Sequence, residues 1–356
     1  MFRATAIPTQ GASAKPIFNP RNKGFPQQDE RVALRRVVPR SFTWKLAILF
    51  ITGSISTLGI AFTEYPLRFA FQFAVAALMA HATELVHQCL HRTAIGSRRW
   101  DTFLGCLLAL PSGTSFHYYR WFHLWHHRYN GTEFDKESFD YAYQLMGHRS
   151  RLKRLIGLAR YLSMVSHYTN VLKRVVLALQ GRLAGELILL HPQINLSAAR
   201  QIQQDYQLMG GLVLTVFALS LFLHTSKVFS FWVLPLVLGW GPIHALIELP
   251  EHWQCDRPEA NVFLNTRSIE ASSFARWFTN NNCNHVAHHF DMSIPLERLP
   301  RFEKVLAKTY YFKYHERSYA SFYLQFFKYL WIGAELKLVG ASKTKSDNNQ
   351  MTRGGK

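Results

Sequence analysis

Residues 67–91 read LRFAFQFAVAALMAHATELVHQCLH, a long apolar stretch that ends in two histidines. A helix of about 24 residues is about 36 Å long, so its last turns should emerge from a hydrocarbon core of roughly 30 Å. Those last turns carry His87 and His91, whose spacing places both side chains on one helical face. The stretch therefore predicts a membrane span with a pair of imidazoles at its end.

Three further apolar stretches are long enough to cross a membrane. Leu46–Phe62 precedes the first stretch, and Leu208–Leu223 and Val228–Leu249 follow later in the chain. Only short turns separate the first two spans and the last two. The sequence therefore predicts an all-α integral membrane protein with four transmembrane helices in two hairpins.

The distribution of positive charge predicts the orientation. Lys and Arg total 41 against 22 Asp and Glu, which gives a formal net charge of +19. Basic residues are concentrated between Arg92 and Arg200 and are scarce in the two short turns, so both termini and this middle region should be cytoplasmic. The basic residues flank apolar segments, whereas a nucleic-acid-binding domain would gather them on one polar face. Membrane and acidic partners are expected, and nucleic acid is not.

Composition divides the chain into four regions. Residues 1–41 are basic and lack the apolar run of a signal peptide, so they are predicted to be a disordered arm. Residues 42–310 hold the spans and the histidines. Residues 311–339 are aromatic and favour an interfacial helix, and residues 340–356 are predicted to be a disordered tail. The four cysteines show no close pairing that would indicate disulfides or a zinc ribbon.

Eight histidines fall into three clusters with helical spacing. The pattern HxxHH is expected by accident about 0.04 times in such a chain, and it appears twice. Adjacent helical residues point about 100° apart, so each HH pair can reach two different metals. All three clusters lie in regions predicted to face the cytoplasm. The clusters are His87 and His91, then His123, His126 and His127, then His285, His288 and His289.

The number of histidines indicates the kind of metal site. A structural zinc site needs only four ligands, so eight imidazoles point to two metals, and iron is the metal that makes O2 chemistry possible. We expect a ninth ligand from the end of the fourth span, where His252 is preferred and His244 is the alternative. Glu84, Glu248 and Glu251 could ligate a metal, but acceptance of imidazole N–H hydrogen bonds is the favoured role.

Five segments of the chain resemble the membrane fatty acid desaturases. The resemblance runs from about Ala80 to Leu306 in the right order and spacing, and its histidine motifs do not separate desaturases from hydroxylases and ketolases. Some relatives carry an Asn four residues before the extra His as a water-mediated ligand, and this chain has Glu248 there. The segments are ELVHQCLHR (84–92), RWFHLWHHRY (120–129) followed by Glu133, Asp135 and Glu137, Glu251-His252, Asn265-Thr266-Arg267, and NHVAHH (284–289).

The resemblance implies four spans beneath a cytosolic helical cap that holds two iron ions. It also implies a separate electron donor, because the chain has no His-Pro-Gly-Gly haem motif. A ferredoxin or a cytochrome-type protein would be attracted to the basic cytoplasmic face. The implied iron ligands are His87, His91, His123, His126, His127, His252, His285, His288 and His289.

The predicted function is an O2-dependent desaturase that introduces a cis double bond into a fatty acyl chain. The acyl group could be carried by a lipid, by CoA or by an acyl-carrier protein, and Arg120, Arg128 and Arg267 could contact its head group or the donor. One alternative is a related hydroxylase or ketolase acting on a lipid, an alkane or a carotenoid. Another is a non-catalytic membrane metal-binding or transport protein, which would need ionisable residues near the middle of the membrane.

Overall fold

The computed structural model of the protein describes residues 28–136, 146–257 and 259–333. Helices make up most of these residues, and one pair of short strands accompanies them. The helices are α1 (Gln28–Arg35), α2 (Pro39–Phe62), α3 (Leu67–Leu90), α4 (Arg98–Ala109), α5 (Phe116–Tyr129), α6 (Arg151–Leu162), α7 (Val165–Leu179), α8 (Leu183–Leu190), α9 (Leu196–Phe222), α10 (Gly241–His252), α11 (Val262–Asn265), α12 (Ser273–Phe278), α13 (His285–Phe290), α14 (Leu299–Thr309) and α15 (Tyr319–Ile332). Single 3₁₀ turns cover Leu110–Ser112 and Leu296–Arg298, π-helical segments cover Phe229–Val233 and Leu236–Trp240, and the strands are β1 (Arg267–Ile269) and β2 (Tyr314–Glu316).

Four helical stretches are long and apolar enough to cross a membrane, as the sequence predicts. They are Val32–Phe62, Leu67–Leu90, Leu196–Phe222 and Phe229–His252. The third begins earlier than predicted, because polar residues before Leu208 continue the same helix. Asn195 caps its first turn by accepting a hydrogen bond from the Ala198 N–H.

The fourth span packs closely against α3. A Cβ atom added at Gly239 would lie 2.3 Å from the Cβ of Ala76, so only glycine permits this approach. The Trp240 indole N–H donates to the Thr83 hydroxyl at 3.0 Å, which fixes the same contact with a buried hydrogen bond. Two π-helical segments flank Pro235, whose missing N–H interrupts the α-helical hydrogen bonds there. The C-terminal half of α3 becomes the centre of the hydrophobic core.

Part of the region predicted to be a disordered arm is helical. Helix α1 begins at Gln28, and its Leu34 is buried in a hydrophobic cluster with Val286 and Phe302. Arg35 forms a 2.7 Å ion pair with Asp291. The segment is therefore ordered by packing of Leu34 against the folded domain, a contact that composition alone does not reveal. Residues 1–27 of the predicted arm, and the predicted tail at 340–356, lie outside the described residues.

A parallel strand pair departs from the all-α expectation. Arg267 pairs with Tyr314 and Ile269 with Glu316. The Ile269 N–H also donates to the Cys283 carbonyl at 2.9 Å, immediately before α13. The pair therefore positions the histidine helix α13 against the segment that leads into α15.

Helix α15 covers the middle of the segment predicted to be an interfacial helix, and strand β2 lies before it in the same segment. Its Phe322 and Phe326 are buried in the same core as Trp253, at the end of the fourth span. One face of the helix thus packs on the domain, while Leu324 and Trp331 are exposed. Residues 334–339 of the predicted helix lie outside the described residues.

Candidate metal centre

Four helices bring histidine side chains to one place. His87 lies in the last turn of α3 and His91 caps its C-terminus. Helix α5 begins after Ser115, whose hydroxyl accepts the Tyr118 N–H at 3.1 Å, and carries the second cluster. The fourth span ends at His252, and α13 carries the third cluster. Stretches far apart in sequence therefore converge at the ends of two spans.

The nine histidines fall into two groups. One ring nitrogen from each member of a group lies within 4.8 Å of the corresponding atoms of the others. We refer to these as the five-histidine group and the four-histidine group. The five-histidine group is His87, His91, His123, His127 and His288, and the four-histidine group is His126, His252, His285 and His289.

The Nε2 atoms within each group are spaced like ligands of one ion. Neighbouring Nε2 atoms are 2.8–3.0 Å apart in the five-histidine group. They are 3.1–3.2 Å apart in the four-histidine group. Imidazole nitrogens bind a divalent metal at about 2.0–2.1 Å, so ligands at right angles lie about 3 Å from each other. Each group thus has the dimensions of a single coordination sphere.

Hydrogen bonds on the far side of two rings fix their tautomers. The Nδ1 of His126 lies 2.7 Å from a carboxylate oxygen of Asp135, and the Nδ1 of His252 lies 3.0 Å from the Asn265 carbonyl. Both oxygens only accept, so both Nδ1 atoms carry the proton of a neutral ring and both Nε2 atoms present a lone pair. These two Nε2 atoms face each other at 3.2 Å. Two facing lone pairs repel, and a cation between them removes the repulsion.

An amide fixes the tautomer of a third ring in the same group. Asn282 donates its Nδ2–H to a Glu251 carboxylate oxygen at 2.7 Å, which turns its carbonyl oxygen toward the Nδ1 of His285 at 3.0 Å. The Nε2 of His285 is then unprotonated, and the other Glu251 oxygen lies 3.2 Å from it. Glu251 therefore borders the four-histidine group and orients one of its members through Asn282.

Each pair of adjacent histidines is divided between the groups. His126 belongs to the four-histidine group and His127 to the five-histidine group, and His288 and His289 are divided in the same way. The cause is the angle of about 100° between successive side chains of a helix. Helices α5 and α13 each contribute to both groups.

The environment keeps these imidazoles in the form that binds metals. Burial lowers the pKa of His123 and His127 well below the usual value, and the neighbouring histidines lower it further. The same causes act on His285, His288 and His289. Neutral imidazole is the ligand form, so protons compete little with a metal here at neutral pH.

His244, the alternative ninth ligand, belongs to a separate buried cluster. Its Nδ1 is 4.0 Å from a Glu84 oxygen and its Nε2 is 3.9 Å from a Glu248 oxygen. These three residues form their own set of possible ligand atoms. The structure thus joins His252 to the four-histidine group and places His244 in a separate cluster, about two helical turns earlier on α10.

The three arginines predicted to contact a head group or a donor differ in exposure. Arg128 is exposed and Arg120 is half-buried. Arg267 is 2% exposed, and it donates hydrogen bonds to the carbonyls of Pro250 and Trp253. Because its guanidinium caps the end of the fourth span beside His252, Arg267 stabilises the fold instead of presenting a surface contact.

Sequence reasoning did not identify the residues that orient the rings. Asp135 follows the second cluster and Asn265 lies in a recognised motif, but neither spacing indicates which histidine it contacts. Asn282 precedes His285 by three residues, and this spacing just before the start of a helix could have suggested their hydrogen bond. Glu137, the last acidic residue of the segment after α5, lies outside the described residues.

Comparison with protein families agrees with this geometry. Residues 65–323 match the family model described as Fatty acid desaturase. The matched segment extends from the turn before α3 into α15 and includes all nine histidines. A comparison with curated proteins gave no match.

Proposed function

Because the chain belongs to the fatty acid desaturase family, we propose that it is an O2-dependent membrane desaturase that introduces a cis double bond into a fatty acyl chain. The observation that carries the proposal is the convergence of nine imidazoles into groups of five and four. A structural zinc site needs four ligands, and an octahedral ion takes at most six. Nine support a pair of metals, and two irons suit the O2 chemistry of this family.

In this reaction the protein would hold the metal ions and position the acyl chain beside them. Bound iron would supply the activation of O2 and the removal of two hydrogens from adjacent carbons. Asp135 and Asn265 keep two Nε2 lone pairs aimed at the four-histidine group, and Asn282 does the same for His285. The spans and the cap would then hold one pair of C–H bonds beside the centre and keep others away.

An apolar cavity between the third and fourth spans supports an acyl substrate that arrives from the membrane. Its volume is about 380 Å³, and its lining is almost entirely hydrocarbon. Trp232 closes one side and donates its indole N–H to the Pro111 carbonyl at 2.8 Å. The other lining residues are Leu110, Met209, Leu212, Val213, Val216 and Val228.

The proposed topology follows from charge and from the position of the histidines. Both termini and the metal centre would be cytoplasmic, with the four spans arranged as two hairpins under a helical cap. The ligands at the C-terminal ends of α3 and α10 support a centre on one side of the membrane.

The electrons would come from a separate protein of the ferredoxin or cytochrome type. The formal charge of +19 favours an acidic donor, whose association rate should fall as ionic strength rises.

The test is expression in a desaturase-deficient host that supplies an electron donor, followed by mass spectrometry of the acyl chains. Desaturation removes two hydrogens from a chain, whereas the alternative hydroxylase or ketolase activity adds oxygen. Purified protein should contain about two irons per chain. His288→Ala should abolish the product and lower the iron content, while His224→Ala, in the exposed turn between the last two spans, should change neither. An expressed protein without iron would contradict the proposal.

A further inference from the structure

A further set of possible metal ligands lies outside the two histidine groups, where α4, α5 and α9 meet. Cys106, His117 and Asp205 each place one ligand atom within 4.8 Å of the ligand atoms of the other two. Cys106 lies on α4, His117 in the first turn of α5 and Asp205 on α9. Three separate helices therefore bring a thiol, an imidazole and a carboxylate to one point.

The Asp205 carboxylate is fixed at the start of α5. Its Oδ2 accepts the Ser115 hydroxyl at 2.7 Å and the His117 backbone N–H at 3.1 Å. Both carboxylate oxygens lie 3.0 Å from the His117 Nδ1. Carboxylates that bind metals are commonly oriented by hydrogen bonds of this kind. Ser115 and the backbone thus orient Asp205 without help from the imidazole, so Oδ1 and Nδ1 are placed to share an ion.

The separation of these two atoms suits the ligands of one metal. Zinc binds imidazole nitrogen at about 2.0–2.1 Å and carboxylate oxygen at about 2.0–2.2 Å, so two such tetrahedral ligands lie roughly 3.4 Å apart. The 3.0 Å between Nδ1 and Oδ1 would have to grow by only a few tenths of an ångström. The side chains of His117 and Asp205 are 20% and 17% exposed, so an ion between them would be partly shielded from water.

Cys106 distinguishes this cluster from an ordinary His–Asp hydrogen bond, which needs no thiol beside it. Burial and the negative charge of Asp205 raise the pKa of the Cys106 thiol to about 12, although Arg92 acts in the opposite direction. A thiolate here therefore requires a cation. Replacement of the thiol proton by a divalent ion would release one proton and give a neutral set, because thiolate and carboxylate together offset the two charges of the ion.

The ligand types select the class of ion. Thiolate and imidazole bind zinc and similar divalent metals, whereas Mg²⁺ and Ca²⁺ take oxygen ligands. Three protein ligands leave the fourth tetrahedral position to a water molecule. His117 also borders a polar cavity of about 630 Å³, which would give the ion and the water a path to the cluster.

We propose that Cys106, His117 and Asp205 bind one divalent ion of the zinc type, separate from the nine-histidine centre. The ion would join α4 and α9 to the start of α5. His117 precedes His123 by six residues, so the ion would anchor the helix that carries the second histidine cluster. The proposal does not depend on which reaction the histidine centre catalyses.

The test uses Co²⁺, because a cobalt–thiolate bond gives an intense charge-transfer band in the near ultraviolet. Imidazole and carboxylate ligands give no such band, and the two histidine groups include no cysteine. Full-length, iron-loaded protein in detergent is titrated with cobalt chloride in the absence of O2. The band should reach its limit at one Co²⁺ per chain, and zinc chloride should then remove it, since zinc favours a tetrahedral thiolate site.

Two variants and a matched control assign the band to this cluster. Cys106→Ala should abolish the band with the iron content unchanged. His117→Gln should weaken cobalt binding by about tenfold or more. Cys89→Ala is the control, because it removes a thiol that lies between His87 and His91, and it should retain the band.

A wild-type protein without the band would overturn the proposal, and so would a band that keeps growing far beyond one Co²⁺ per chain. A band that survives in Cys106→Ala would overturn it as well, because the thiolate would then belong to another cysteine. If Cys106→Ala fails to fold, the titration of His117→Gln decides, and an affinity equal to that of the wild type would exclude the site.

The melting temperature gives a second readout of the same site. An ion that binds only the folded protein stabilises it by mass action. Zinc chloride should therefore raise the melting temperature of the wild type and of Cys89→Ala, and it should leave that of Cys106→Ala unchanged. An equal rise in all three proteins would contradict the proposal, because the zinc would then bind elsewhere.

Discussion

A carboxylate oxygen of Asp135 lies 2.7 Å from the Nδ1 of His126, and the Asp135 side chain is only 2% exposed. Burial alone would raise the pKa of Asp135, but the hydrogen bond from His126 and the positive charge of Arg257 outweigh it, so this pKa lies below its usual value. The other carboxylate oxygen accepts the Gly131 N–H at 3.2 Å. Asp135 is thus an ionised, fixed acceptor that holds one ligand ring in its metal-binding orientation.

Asp135→Asn should weaken metal binding without removing a ligand. The asparagine keeps one acceptor oxygen but loses the negative charge, and mutation of a partner that orients a metal-binding histidine typically lowers metal affinity about 10-fold to 100-fold. The measurement is the iron retained per chain during titration with a chelator. Glu133→Gln, at an exposed position two residues earlier, is the control. Identical chelator curves for the two variants would show that Asp135 does not orient His126.

Gly239→Ala should destabilise the contact between α3 and the fourth span. The new Cβ would meet the Cβ of Ala76 at 2.3 Å, and overpacking of this kind costs about 1–3 kcal/mol. The melting temperature in detergent should fall, and the double variant Gly239→Ala with Ala76→Gly should recover most of the loss. Gly211→Ala in the third span has nothing within 4 Å and is the control. A double variant no more stable than the single one would exclude this contact as the cause.

Glu303 should make the stability of the protein fall as pH rises. Burial raises the pKa of Glu303 to about 8 in the folded state, so the folded protein retains a proton that the unfolded chain loses near the ordinary glutamate value of 4.5. The contribution of protonated Glu303 to the free energy of unfolding is complete below the unfolded-state pKa. It is lost as pH rises toward 8, by up to about 1.4 kcal/mol per pH unit.

Melting temperatures of the wild type and of Glu303→Gln between pH 5 and pH 8 test this expectation. The glutamine variant should show the smaller decline, because the amide cannot ionise. Glu64→Gln, whose side chain is 89% exposed, should follow the wild type. Parallel curves for Glu303→Gln and wild type would show that Glu303 does not titrate abnormally.

Val213→Trp should hinder an acyl chain that uses the apolar cavity between the third and fourth spans. Val213 lines that cavity, whereas Leu214 on the same helix is 60% exposed. The indole should fill part of the 380 Å³ and lower the rate of product formation severalfold, with the iron content unchanged. Leu214→Trp should retain the wild-type rate. Equal rates for the two variants would mean that substrate does not pass through this cavity.

Local spacing was sufficient to predict much of the histidine arrangement. The HxxHH segments and His87 with His91 have helical periodicity, and periodicity depends only on neighbouring residues. The four spans were predictable for the same reason, since length and hydropathy are local properties. The family match over residues 65–323 supports the resemblance on which the nine-residue set was based.

Features that depend on distant pairing were not predictable. Strands β1 and β2 have three residues each, too few for an alternating pattern, and their partners are 47 positions apart in register. Arg267 looked like a surface cation because its motif does not reveal the carbonyls that it caps. The role of Asn282 depends on Glu251, which comes from another helix. Tertiary contacts decide each of these cases.

The division of adjacent histidines between the two groups has a consequence for assembly. Helices α5 and α13 each act as a rigid spacer that carries two histidines of one group and one histidine of the other. Capture of a first ion would immobilise both helices and so prearrange three of the histidines that receive the second ion. We therefore expect cooperative loading, in which chains are either empty or filled and half-loaded chains are rare.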